Sequence, residues 1–66
     1  MTIKSVVSES IAAIGYDSTS QTLHIKFKKG KTYPYYNVPV HIYTGLMNAA
    51  SKGRYYITYI KGRYSG

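Results

Sequence analysis

Cysteine and tryptophan are absent from this 66-residue chain, and acids nearly so: Glu9 and Asp17 stand against nine Lys and Arg. Without cysteine, no disulfide and no thiolate metal site can supplement the core. Two histidines and two acids are too few for a structural zinc site, so neither metal nor cofactor is expected. No stretch approaches the roughly 18 apolar residues of a membrane span. The apolar N-terminal stretch is broken by Ser8-Glu9-Ser10, unlike a secretory signal. A single cytoplasmic domain over residues 1–66 is expected. A domain of this size buries only about 60% of the surface its unfolded chain exposes. Self-association is the remaining support, and a homo-oligomer is expected.

What is abundant is positive charge and tyrosine. The formal net charge is +7, with nine tyrosines. Such a field favours polyanions: nucleic acid, phosphorylated small molecules or an acidic surface. A merely solubilising charge is the plain alternative. Tyrosine offers a stacking face and a polar tip, which suits binding.

The segment Lys26–Pro39 concentrates both, with four of the nine basic residues and three of the nine tyrosines. If Lys29-Gly30 is a two-residue hairpin turn, Gly30 supplies the positive φ it needs. Leu23, Ile25, Phe27, Thr32, Pro34 and Tyr36 then share a core face. His24, Lys26, Lys28, Lys31, Tyr33 and Tyr35 share the other, cations between rings. A three-residue turn reverses this and sets Tyr33 and Tyr35 beside Ile25 and Leu23 as core.

Along the chain, residues 1–10 suggest a frayed start or a short edge strand. Ile11–Asp17 suggests a first strand, with Gly15 marking a bulge or close backbone approach; a helix capped by Ser8 or Ser10 competes. Asp17–Gln21 is a loop of turn formers. Thr22–Lys28 alternates as a strand, and Lys31–Asn37 returns as its partner, with Pro34 placing it at an edge. Pro39 suits a helix start, after which Val40, Tyr43, Leu46, Met47 and Ala50 recur at helical spacing. Gly53 is placed to end that helix in a left-handed conformation. Tyr55, Tyr56, Tyr59, Ile60 and Tyr64 fit a second short helix, although a strand is open for residues 54–62. The expected fold is α+β: a three-stranded antiparallel β-meander packed against one main α-helix plus a short C-terminal helix.

The ordered set Val7-Ser8, Ser10, Ile14-Gly15-Tyr16-Asp17, Leu23, Ile25, Phe27, Gly30 and Tyr33-Pro34-Tyr35 resembles the KTSC domain family. Val38-Pro39, Tyr43, Leu46, Ala50, Ser51-Lys52-Gly53-Arg54-Tyr55, Ile60 and Tyr64 continue the match. The family is named after the C-terminal domain of some lysyl-tRNA synthetases and includes stand-alone bacterial and phage proteins. Where the family commonly shows Phe-Asn after Tyr55, this chain has Tyr56-Ile57. The resemblance implies a small α+β domain with a suggested RNA-binding role and supplies no catalytic residues.

Two candidate sites follow. Tyr33 and Tyr35, with His24, Lys26, Lys28 and Lys31, would stack a base and neutralise phosphates; core or interface tyrosines are the alternative. Lys29, at the turn tip, is expected to be simply exposed. Ser51, Gly53, Arg54 and Tyr55 would offer backbone N–H groups and a guanidinium to a phosphate, against an ordinary helix C-cap. His24 and His41, and Glu9 and Asp17, lack any arrangement suited to acid–base work. The expected function is a non-enzymatic binder of phosphorylated nucleotides. One version is an oligomeric sponge enclosing a small, cyclic nucleotide immune signal, acting in the host cytoplasm if phage-encoded. An RNA-binding module and a protein-interaction module for an acidic partner are the alternatives.

Overall fold

Residues 2–64 are described by the structure, a computed structural model. Within them four antiparallel strands form one sheet in chain order: β1 (Thr2–Ser5), β2 (Ile11–Asp17), β3 (Thr22–Phe27) and β4 (Thr32–Tyr35). Two helical segments follow, α1 (Val40–Asn48) and α2 (Lys52–Tyr55). The second widens into a π-helical turn over Tyr56–Ile60, closed by Lys61 N–H donating to Tyr56 C=O at 2.8 Å. The α+β meander is as expected from the sequence, with one strand more. The four residues of β1 pair along β2 and extend the sheet. Gly15 does mark a close approach, since a Cβ there would lie 2.7 Å from Ile3 Cγ1. The bulge falls elsewhere, between Ile11 and Ala13.

The β3–β4 hairpin is where the two-residue turn fails. Leu23 pairs with Tyr35, His24 with Pro34, Ile25 with Tyr33 and Lys26 with Thr32. Phe27 N–H donates to Lys31 C=O and Gly30 N–H to Phe27 C=O, both at 2.9 Å. Lys28, Lys29 and Gly30 therefore form a three-residue loop, with Gly30 at φ 102° as the residue that must turn left-handed. The register explains the choice. It sets the Tyr35 ring against Leu23 and Ile25, whereas the two-residue turn would have offered the core Pro34 and Tyr36. Tyr35 is buried, and Tyr36 lies half exposed.

The helices cover the face carrying Ile14, Tyr16, Leu23, Ile25 and Tyr35. Ile42 and Leu46 of α1, Ile60 of the π-turn and Val38 of the β4–α1 link complete the core. The buried stripe of α1 is thus Ile42 and Leu46, four residues apart, with Tyr43 and Met47 beside it. Val40 and Ala50, expected in that stripe, face solvent. Val38 is held at both backbone groups: its N–H donates to Gln21 C=O, and its C=O accepts from the Tyr16 hydroxyl. The Tyr16 ring stacks on Tyr43 at 4.9 Å. Residues 54–60 are helical, not a strand.

Gly53 does not terminate α1. That helix stops at Asn48, where Lys52 Nζ donates to Ala49 C=O at 3.1 Å, a cation satisfying a free end. Gly53 sits instead in the first turn of α2, behind the Ser51 cap, whose hydroxyl accepts from Arg54 N–H at 3.4 Å. The glycines with left-handed φ among the described residues are Gly30 and Gly62, the latter just beyond the π-turn.

Candidate ligand-binding clefts

At the hairpin end of the sheet, the covering helices stop short of the last rungs. Tyr33, on the core face beside Ile25, therefore remains 44% exposed. Its ring meets Phe27 edge-on at 5.7 Å. Phe27 in turn meets Tyr56 at 5.4 Å, and Tyr56 meets Tyr35 at 5.8 Å, both edge-to-face. The Tyr35 and Tyr56 hydroxyls share a 2.7 Å hydrogen bond. Edge-to-face contacts set the positive rim of one ring against the negative face of the next, so the cluster locks itself.

These four rings floor an open cleft of about 760 Å³. Lys28 and Lys29 of the hairpin loop, Lys31 just after it and Lys61 after the π-turn rim it, with Glu9 and Ser10 at one side. Four ammonium groups against one carboxylate make it electropositive. Burial, and then the bond to Tyr56, push the Tyr35 phenol well above its ordinary range, so it stays neutral and holds its place. Burial raises Tyr16 too, helped by the neighbouring Asp17 charge.

A second cleft, about 490 Å³, opens on the other side of Glu9 and Ser10, which line both. The Ser51 cap, Gly53 and Arg54 form one wall, and Val7 and Ser8 the opposite one. Gly53 packs closely on Ser10: a Cβ at Gly53 would lie 3.0 Å from Ser10 Oγ. Ser10 C=O accepts from Lys28 N–H at 2.9 Å, tying this junction to the hairpin loop.

Of the residues singled out in the sequence, Lys28, Lys31, Tyr33 and Tyr35 converge on the first cleft, and Ser51, Gly53 and Arg54 on the second. His24 and Lys26 do not join them. Paired with Pro34 and Thr32, they alternate onto the opposite sheet face. Tyr55 lines neither cleft; it packs against Gly45 of α1 and the Tyr59 ring. The C-cap expected at this junction is instead an N-cap: Ser51 starts α2, and its hydroxyl consumes the Arg54 N–H that a phosphate would have used. Lys29 forms cleft wall and is not merely a turn tip. Phe27, Tyr56 and Lys61 were missed. Tyr56 and Lys61 depend on the phase of the π-turn, for which the sequence carries no signal. Phe27 was assigned to the core face, and it is the partial helical cover that turns it into cleft floor.

Fold and clefts together describe a small basic α+β domain built around a tyrosine–lysine pocket. Residues 7–64 match the KTSC domain model, and the chain belongs to that family. It is 45% identical over 49 residues to a lysine–tRNA ligase of Trichormus variabilis, covering 74% of this chain and 9% of the ligase. It thus spans about a tenth of the length of that relative. A Tsukamurella paurometabola protein is 41% identical over 59 residues, covering 89% of this chain and 88% of its own. The crystal structure of a KTSC domain protein from Yersinia pestis superimposes with a TM-score of 0.93 at 38% identity, covering 96% of this chain and 89% of that one.

Proposed function

We propose that this protein is a non-enzymatic binder of a phosphorylated nucleotide, held in the first cleft. One observation carries the reading. The exposed face of Tyr33 stands within a rim of Lys28, Lys29, Lys31 and Lys61, so a base can stack while its phosphates meet ammonium groups. The cleft supplies rings and cations, the chemistry of retention. Both histidines lie outside its lining, His24 on the far sheet face. A single well-exposed ring suits one or two nucleotides better than a strand tracked over many. Association of protomers around that ligand would enclose it and supplement a thin core, giving a sponge for a small nucleotide signal.

An RNA ligand is the second reading. It is favoured by the chain's likeness to segments of lysine–tRNA ligases, enzymes named for a tRNA substrate.

Native mass spectrometry of protein purified from producing cells tests the proposal, since it reports subunit count and retained ligand together. A nucleotide recovered intact after denaturation supports sequestration, and a converted product would replace it with catalysis. Salt titration separates the two ligands: log K for a single strand falls with log[salt] at roughly 0.7 per phosphate contact, so many contacts give a steep slope. A small enclosed ligand gives a shallow one. Failure of any nucleotide to bind the purified protein overturns both readings.

A further inference from the structure

The second cleft carries a chemistry that nucleotide binding leaves unused. Val7 on one wall is 97% exposed and Ile57 on the other is 64% exposed. Large aliphatic side chains held in water on either side of one groove mark a contact surface. Its lining contains no aromatic ring on which a base could stack. Lys52 and Arg54 outnumber Glu9 there, and the whole chain is net +7. A partner must therefore bring negative charge, and a second copy of this chain has the wrong sign.

The main chain adds a further constraint. Val7, Ser8 and Glu9 lie between β1 and β2 and make no backbone–backbone hydrogen bond with another described residue. Their N–H and C=O groups are open to pairing with another main chain, as a peptide can do and a free phosphate cannot. Gly53 lies against Ser10, and the start of α2 is capped by Ser51, so the two sides of the groove are joined.

We propose that the second cleft docks a peptide segment combining acidic residues with an aliphatic anchor, the anchor between Val7 and Ile57 and the acids on Lys52 and Arg54. This surface shares only Glu9 and Ser10 with the nucleotide cleft and would let one domain hold a nucleotide and a protein partner together.

The test is an NMR titration of the full 15N-labelled chain with a mixed-sequence pool of hexapeptides built from Asp, Glu, Val and Leu. Shifts concentrated on Val7–Ser10, Ser51–Arg54 and Ile57 are expected. Ile57→Ser and Arg54→Gln should each weaken binding by about tenfold or more, as for an anchor at an interface centre, while Tyr33→Ala leaves it unchanged. Both positions are exposed, so thermal melts should match the parent. Should α2 be perturbed regardless, Val7→Ser, which lies outside it, gives the same readout. Three results overturn the proposal: no shifts at these residues, an Asp/Glu/Ser pool binding equally well, or shifts that centre on Lys31, Lys61 and Tyr33. A uridine oligonucleotide moving the same signals more tightly would reassign the groove to nucleic acid.

Discussion

The hydroxyls of Tyr35 and Tyr56 lie 2.7 Å apart, joining the sheet's edge strand to the π-turn beneath the floor of the first cleft. Tyr35 comes from β4 and Tyr56 from the π-turn, so this bond ties together two parts of the cleft lining. It also places a phenol where ionisation is opposed by burial and by a hydroxyl partner.

Stability should therefore fall at alkaline pH. The Tyr35 pKa is raised on folding, so its stabilising contribution is complete below the unfolded value of about 10 and is lost as pH climbs above it. Urea unfolding at pH 8, 10 and 11 should show a decline beginning near pH 10. Tyr35→Phe should make that decline shallower while costing about 0.5–1.5 kcal/mol at pH 8 for the lost hydrogen bond. An unchanged alkaline slope in the variant would assign the effect to other tyrosines.

Nucleotide affinity should distinguish the two faces of the sheet. Tyr33→Ala removes the exposed stacking ring and should cost about 1–3 kcal/mol, or roughly 5- to 150-fold in Kd by calorimetry. Lys31→Ala and Lys61→Ala should weaken binding and flatten its salt dependence. Lys26→Ala, on the opposite face, should change Kd by no more than about twofold in physiological salt. Equal losses from Lys26 and Lys31 would show that the field of the whole chain, not the cleft, holds the ligand.

The hairpin loop sets everything beyond it. Gly30→Ala forces a side chain into the left-handed region and should destabilise by about 1–2 kcal/mol in urea unfolding. Deleting Lys29 tests what fixes the register. A two-residue Lys28-Gly30 loop keeps Phe27 opposite Lys31 and Tyr35 in the core, so the fold should survive with its pairing intact. A loss of about 3–5 kcal/mol would mean that the shortened chain keeps a three-residue loop, slips by one and carries Tyr35 out of the core.

Gly45 and Tyr55 should be coupled. A Cβ at Gly45 would overlap the Tyr55 hydroxyl and ring, which pack between α1 and α2. Gly45→Ala alone should destabilise by about 1–2 kcal/mol through overpacking, despite the better helix propensity of alanine. In a Tyr55→Ala background the same change should stabilise by up to about 1 kcal/mol, because only propensity remains. The reversal of sign in a double-mutant cycle is the readout.

Alternation and punctuation in the chain were enough to place most elements. Leu23, Ile25 and Phe27 mark β3 by period alone, Pro34 puts β4 at an edge, and Pro39 immediately precedes α1. Such signals are local: each is decided by residues within a few positions of one another.

Three matters lay outside their reach. Loop length at Lys28–Gly30 was ambiguous because both turns suit the same residues, and the core's demand for the Tyr35 ring broke the tie. Gly53 carries no mark separating a helix end from a helix start; contact with Ser10, over forty residues earlier, decides it. Tyr56 and Lys61 reach the first cleft through the π-turn, whose phase follows from seating Ile60 in the core. The sequence by itself determined β2, β3, β4 and the start of α1, and that the surface is basic and tyrosine-rich. Tertiary structure alone decided which rings and cations stand together, because facing follows from register and helix phase, and both are set by packing between distant parts of the chain.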